Sequence, residues 1–260
     1  MNNAIGVFDS GIGGLSIWKE IITLLPHENT IYLADSKNAP YGQKTKQEII
    51  DLSVKNTELL LKKGCKIIVV ACNTATTNAV AYLRKKYDVP IIGIEPAIKP
   101  AALKTKTKKI GILATKGTLN SKLFTKTSNK FTDDIEIIEQ IGEGLVPLIE
   151  AGKINSIALD ILLKKYLFNL INKEIDYLVL GCSHYPFLVP QIKRIIGDKI
   201  KIIDSGEAVA KQTKYILEKN ELLNLSAKKG EHQLFSNLDE TIINQFISKK
   251  EQCQVNFLNF

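Results

Sequence analysis

Short runs of aliphatic and β-branched residues alternate along the chain with longer stretches whose apolar positions recur at helical spacing. Residues 5–8, 30–34, 67–71 and 91–94 read as strands, and the stretches 14–25, 44–63 and 76–86 read as helices. Within 44–63, Ile49, Leu52, Leu59 and Leu60 fall near one helical face. The run Ile67-Ile68-Val69-Val70-Ala71 is apolar throughout, as expected of a strand covered on both faces of a parallel sheet. This strand and helix alternation predicts an α/β fold of open parallel sheets, Rossmann-like or flavodoxin-like, with helices on both faces.

The pattern restarts in mid-chain. The segment from Lys109 to Gly117 echoes that from Ile5 to Gly11: each opens a strand with Ile-Gly and closes on a small polar turn containing glycine. The segment from Leu178 to His184 echoes that from Val69 to Thr74: an apolar strand, a small residue, a cysteine, then polar residues. The echoes keep their order and nearly their spacing, which indicates an internal duplication. Two pseudo-symmetric lobes facing each other across a cleft are therefore expected. The first covers 1–97 and is joined by 207–260; the second covers 98–206. The segment Gly93-Ile94-Glu95-Pro96-Ala97 is the expected crossover, and Ile202-Ile203 the last strand of the second lobe.

Composition narrows the class. The chain has 260 residues, of which 45% are hydrophobic, enough to bury a substantial core. Its longest apolar runs are too short to span a bilayer. Residues Met1 to Val7 read as the start of a strand rather than a signal peptide, so a cytoplasmic protein without a membrane partner is expected. The net charge of +8 raises the question of nucleic acid. However, every basic residue except Arg84 and Arg194 is lysine, and the lysines scatter over helix faces, whereas phosphate and base readers lean on the planar arginine fork. No nucleic-acid partner is expected. His27 and His232 lie in polar contexts and read as surface residues.

The cysteines, at 65, 72, 182 and 253, show no metal-ligand spacing, and no metal is expected. Cys65 and Cys253 have no context that suggests chemistry. Cys72 and Cys182 do: each ends an apolar strand at matching places in the two halves, where open α/β sheets bind ligands. Asn73 or Thr74 is placed to cap a following helix, and a cysteine at a helix N-terminus is expected to have a lowered pKa. His184 lies two residues after Cys182. The loop Asp9-Ser10-Gly11-Ile12-Gly13-Gly14 follows the first strand. Its backbone N–H groups would favour an anion, while Asp9 would favour a cationic group or a partner acid. Tyr41, after Pro40 in a turn, suits a core anchor or a site wall equally.

These segments resemble the signature set of the glutamate racemase family. The resemblance is carried by Phe8 to Gly14, Pro40-Tyr41-Gly42, Ala71-Cys72-Asn73-Thr74-Ala75, Ile94-Glu95-Pro96, Gly181-Cys182-Ser183-His184-Tyr185-Pro186 and Ile203 to Glu207, in the family's order. It implies that Cys72 and Cys182 are acid and base, assisted by Asp9 and His184. It implies that Asp9, Ser10, Pro40, Tyr41, Gly42, Asn73, Thr74, Ser183 and His184 bind substrate, with Glu150 and Thr118 behind them. It further implies cofactor-independent conversion of L- to D-glutamate for peptidoglycan, and a homodimer. Ser183 departs from the threonine usual in the family but keeps the hydroxyl. Competing readings are an aspartate racemase of the same superfamily, a two-lobed protein that binds without catalysis, and a redox dithiol protein.

Overall fold

The computed structural model describes residues 3–131, 134–247, 251 and 253–260; Met1 and Asn2, read above as part of a strand opening, lie outside them. The chain begins with β1 (Ala4–Asp9), α1 (Leu15–Leu24), β2 (Thr30–Ala34), α2 (Lys46–Lys62), β3 (Cys65–Val70), α3 (Asn73–Lys86) and β4 (Ile91–Gly93). It continues through α4 (Ile98–Ala102), β5 (Lys109–Ala114), α5 (Lys116–Leu119), α6 (Lys122–Ser128), β6 (Glu136–Ile141) and α7 (Leu145–Glu150). Then follow α8 (Ile157–Ile171), β7 (Tyr177–Gly181), α9 (Val189–Ile196) and β8 (Lys201–Ile203). The last part is α10 (Gly206–Lys219), β9 (His232–Ser236), α11 (Thr241–Phe246) and β10 (Cys253–Phe257).

The strands form two parallel sheets, ordered β10-β9-β2-β1-β3-β4 and β6-β5-β7-β8. The order β2-β1-β3-β4 in one sheet is repeated as β6-β5-β7-β8 in the other. The duplication read from the Ile-Gly and strand-cysteine echoes is therefore present in the topology: β1 matches β5, and β3 matches β7. The late strands β9 and β10 extend the first sheet beyond β2.

In the first sheet β1, β2 and most of β3 are buried on both faces, which explains their apolar runs. Ile5, Val7, Ile67 and Val69 face a core shared with Leu15, Trp18 and Ile21 of α1 and Val209 and Leu217 of α10. Phe8, Ile31, Leu33, Ile68 and Val70 face the other way, toward Ile49 and Leu60 of α2 and Ala79 and Leu83 of α3. Alternate residues thus serve opposite faces.

Local chemistry sets the element ends. Thr45 and Glu48 form a reciprocal capping box at the start of α2, Glu48 N donating to Thr45 Oγ1 (3.3 Å) and Thr45 N to Glu48 Oε2 (2.8 Å). Helix α3 starts at Asn73, three residues before the expected start, because Cys72 itself acts as the N-cap. Thr76 fixes that helix to the sheet: its hydroxyl donates to Val70 O (3.1 Å) and accepts from Ile94 N (2.9 Å). The approach needs a glycine at 93, where a Cβ would lie 2.5 Å from Thr76 Cγ2. His232 corrects the surface reading. It is half-buried in β9, meets Thr30 Oγ1 at 2.9 Å, and its ring lies edge-on to Trp18. His27 is exposed, as expected.

One ion pair joins the returning segment to this sheet. Lys66 Nζ lies 2.7 Å from Glu28 Oε2 with both side chains nearly inaccessible. Lys66 also donates to Leu222 O (2.6 Å), and Asn224 N donates to Glu28 Oε1 (2.6 Å). Removing one partner leaves the other charge buried alone, which typically costs about 3 kcal/mol or more. Lys66→Met is expected to lower the urea midpoint, followed by far-ultraviolet circular dichroism, well beyond the effect of Lys86→Met at an exposed pair.

Candidate active site

The carboxyl ends of the two sheets meet, as strand-end geometry requires of a ligand site in this fold class. A cavity of about 10 Å³ lies between them. It is lined by Ser10, Pro40, Tyr41, Gly42, Cys72, Asn73, Thr74, Cys182, Ser183 and His184, together with Thr115 and Val146. Both cysteines are free thiols. Cys72 follows β3 and Cys182 follows β7, so the strand-cysteine repeat places one sulfur at each sheet. Every lining position expected from sequence is present except Asp9, which lies one layer behind.

The repeat is not exact around the sulfurs. Cys72 caps a long helix: Ala75 N donates to its Sγ at 3.4 Å, and its Sγ donates to Ser10 Oγ at 3.6 Å. Cys182 is followed instead by a tight 3-10 turn over Tyr185–Leu188, with Pro186 in it, so it does not cap a helix. Its sulfur meets His184 Nδ1 at 3.7 Å. The expected lowering of the thiol pKa fails for Cys72. Burial pushes this thiol well up and the nearby Asp9 charge adds to it; the pull of Ala75 N–H and Ser10 is too weak to reverse them.

The glycine-rich loop does not offer its amides to an outside anion. Asp9, fully buried, accepts from Gly14 N (2.9 Å) and Gly11 N (3.3 Å), while Ile12 N donates to Glu150 Oε1 (2.7 Å). The chain's own carboxylates therefore occupy the donors that an anion-binding reading would require. The other oxygen of Asp9 accepts from Ser183 Oγ (3.2 Å), giving that hydroxyl a defined partner. Burial pushes the Asp9 carboxyl up, against the opposing pull of His184 and the Gly14 amide.

Glu150 is the second organising acid. It lies at the end of α7 and accepts from Ser36 Oγ (3.1 Å) and from His184 Nε2 (2.5 Å). Burial by itself would lower the His184 pKa. The Cys182 sulfur and the Glu150 carboxylate outweigh it and hold the imidazole well above the usual histidine range. His184 is thus a buried imidazolium between a carboxylate and a sulfur. Gly13 leaves space for the ring: a Cβ there would lie 2.3 Å from His184 Nδ1.

The remaining residues divide by what they touch. Both polar atoms of the Asn73 side chain are buried without a hydrogen-bond partner, a costly state for an amide unless a ligand relieves it. Thr74 Oγ1 meets Thr115 Oγ1 at 2.8 Å and Thr118 Oγ1 at 3.3 Å, closing the cleft with hydroxyls from both sheets. Tyr41 is at once core anchor and site wall. Its ring is 1% exposed and lines the cavity, while its hydroxyl donates to Asp35 rather than into the site. Thr115 and Val146 were missed from sequence. Thr115 occupies the place in the second half that Ser10 occupies in the first, a signal the Ile-Gly echo already contained. Val146 has no such signal.

Known proteins resemble this chain in sequence and in fold. Residues 5–213 match the family described as Asp/Glu/hydantoin racemase. A glutamate racemase of Clostridium perfringens is 44% identical over 250 residues, 96% of each chain. The crystal structure of a glutamate racemase isoform from Bacillus anthracis superposes with a TM-score of 0.86 at 30% identity, over 98% of this chain and 97% of that one. The Escherichia coli glutamate racemase, solved with L-glutamate and the activator UDP-MurNAc-ala, gives 0.85 at 31% identity, over 99% and 98% of the two chains.

The His184 environment makes a direct prediction. Glu150→Gln removes a charge that holds the imidazolium, so the His184 pKa should fall toward the ordinary value near 6.5, measured by nitrogen-15 NMR titration. An unchanged titration would show that Glu150 is not its electrostatic partner. A raised histidine pKa stabilises the fold fully below the unfolded value and loses this as pH rises through the folded value. The stability lost in Glu150→Gln should therefore be larger at pH 6 than well above neutrality.

Proposed function

The chain belongs to the Asp/Glu/hydantoin racemase family and is an amino-acid racemase; from that premise we propose that it interconverts L- and D-glutamate by proton transfer between Cys72 and Cys182. The observation that carries this reading is that one small cavity is lined by a cysteine from the carboxyl end of each sheet. Racemisation needs a base on one side of the α-carbon and an acid on the other. Two similar sheets meeting end to end supply two such groups from two directions. The thiolate of one cysteine removes the α-proton, the thiol of the other delivers one, and the roles exchange in the reverse direction.

In this proposal Asp9 and His184 set the state of the sulfurs. Asp9 disfavours loss of the Cys72 proton, and His184 holds a proton beside the Cys182 sulfur. The Asn73 amide is the first partner for a substrate carboxylate or ammonium, because it alone among the cavity side chains is buried with both polar atoms unpaired among the described residues. The hydroxyls of Ser10, Thr74 and Ser183 complete the polar wall and offset charge on the carbanion. Pro40, Tyr41 and Gly42 contribute apolar and backbone atoms to the same lining. Glu150 and Thr118 support His184 and Thr74 from behind. A cavity of about 10 Å³ has the space of a single water, so its walls must part to admit an amino acid.

The proposed physiological role is supply of D-glutamate for peptidoglycan, by a cytoplasmic homodimer. No helix among the described residues is long and apolar enough to cross a membrane. Light scattering at micromolar concentration checks the dimer. For substrate, purified protein is followed by circular dichroism on L-glutamate and L-aspartate. Loss of ellipticity with glutamate is expected, at a rate at least about 100-fold that with aspartate, since a misplaced carboxylate forfeits paired polar contacts. A faster reaction with aspartate would overturn the assignment. Cys72→Ala and Cys182→Ala should each lower racemisation by more than about 1,000-fold in both directions. Unimpaired turnover by Cys182→Ala would eliminate the two-cysteine mechanism.

A further inference from the structure

The sheet that carries Cys72 has a second buried carboxylate, and it lies outside the proton-transfer pair. Asp35, at the end of β2, has no accessible surface. One of its oxygens accepts from Asn38 Nδ2 (2.7 Å) and from Asn237 Nδ2 (2.5 Å). The other accepts from the Tyr41 hydroxyl (2.5 Å), and Asn56 Nδ2 reaches the same hydroxyl at 3.1 Å. Asn237 immediately follows β9, in the returning part of the chain that no catalytic motif touches. It is 3% exposed, and its amide is used at both ends. Its Oδ1 accepts from Lys37 N (2.9 Å), and its Nδ2 also reaches Phe260 O (3.3 Å). Its own backbone N donates to Ala34 O (3.3 Å).

We propose that Asn237 is a positioning residue for the active site, holding the segment from Asp35 to Gly42 so that the Tyr41 ring and Gly42 keep their places in the cavity wall. The parallel sheet explains why a residue so remote in sequence serves here. Ser236 is in register with Ala34, and Ala34 with Asp9, so the ends of β9, β2 and β1 form one crest. Asn237 extends that crest by one residue and clips the segment from behind through two bonds, one to the Asp35 carboxylate and one to the Lys37 amide. An amide is suited to this position because it supplies a donor for the carboxylate and an acceptor for the N–H at once. The chain of contacts runs from Asn237 to Asp35, from Asp35 to the Tyr41 hydroxyl, and from the Tyr41 ring to the wall beside Cys72. On the far side Gly42 abuts the second lobe, where a Cβ would lie 3.1 Å from Thr115 Cβ. Asn237 therefore acts through Tyr41 and does not touch the reacting atoms.

The test is a double-mutant cycle in the intact protein, with Asn237→Leu, Tyr41→Phe and the two combined, read as kcat and KM for L-glutamate. It rests on the glutamate reading for its substrate. Wild-type protein inactive on glutamate would sink that reading alone, whereas active wild type with an additive cycle sinks this one. Asn237→Leu is expected to lower kcat/KM about tenfold, mostly by raising KM, because the wall is displaced while the proton-transferring groups are kept. In the Tyr41→Phe background the same substitution should cost less than about twofold, because the path through the hydroxyl is already broken. Asn237→Ser, which keeps a shorter donor, should recover part of the loss, and it replaces Asn237→Leu in the cycle if the leucine variant fails to fold. An equal loss in both backgrounds, or wild-type kinetics in Asn237→Leu or Asn237→Ser, would overturn the proposal.

Discussion

Two carboxylates reach across the cleft in opposite directions, and the rest of the site is arranged around them. Asp9, at the end of β1, accepts from Ser183 of the second lobe, while Glu150, at the end of α7, accepts from Ile12 and Ser36 of the first. Asp9 also holds the Gly11 and Gly14 N–H groups of the glycine loop, to which Ile12 belongs as well. A buried carboxylate is costly without donors, so the bonds these acids accept across the cleft tie the two lobes together. This reciprocity holds the two cysteines at one cavity although they belong to separate sheets. It also keeps a protonated imidazole where burial alone would not permit one.

The same constraint shapes the chemistry. Cys72 is a buried thiol beside a carboxylate, which keeps its proton on, and Cys182 is a sulfur beside a buried imidazolium. The two sulfurs are topologically equivalent but electrostatically different. The difference arises because α3 begins at Cys72, whereas Pro186 and a tight turn follow Cys182 and bring His184 back against its own sulfur. A duplicated fold thus supplies two similar positions, and the turn after the second distinguishes them.

Much of this was legible in the residues alone. Strands buried on both faces leave continuous apolar runs, and the small polar turns that end them mark ligand sites. These two signals located Cys72, Cys182 and the loop after Asp9, and the Ile-Gly echo located the duplication; Pro40, Tyr41, Gly42 and the other wall residues were named by the resemblance to the glutamate racemase family. Other features depend on distant parts of the chain. The loop at Asp9 leaves an anion and a cationic group both open until Glu150 and Asp9 are seen to take its amides. The Cys72 pKa reads as lowered until the depth of burial is known. His232 reads as exposed until β9 is placed beside β2, and the same pairing brings Asn237 to Asp35. Short polar clusters such as Phe235-Ser236-Asn237-Leu238 have no periodicity that announces which buried acid they will meet.

In the two-cysteine proposal two different groups, not one, exchange protons with the α-carbon. It is tested most directly by running the reaction on L-glutamate in deuterium oxide and stopping it at low conversion, with both enantiomers separated and weighed by mass spectrometry. Deuterium is expected at Cα of essentially every D-glutamate formed, with the recovered L-glutamate still carrying protium. Deuterium entering the recovered L-glutamate as fast as D-glutamate appears, or D-glutamate retaining the original proton, would mean a single shared base and would contradict it.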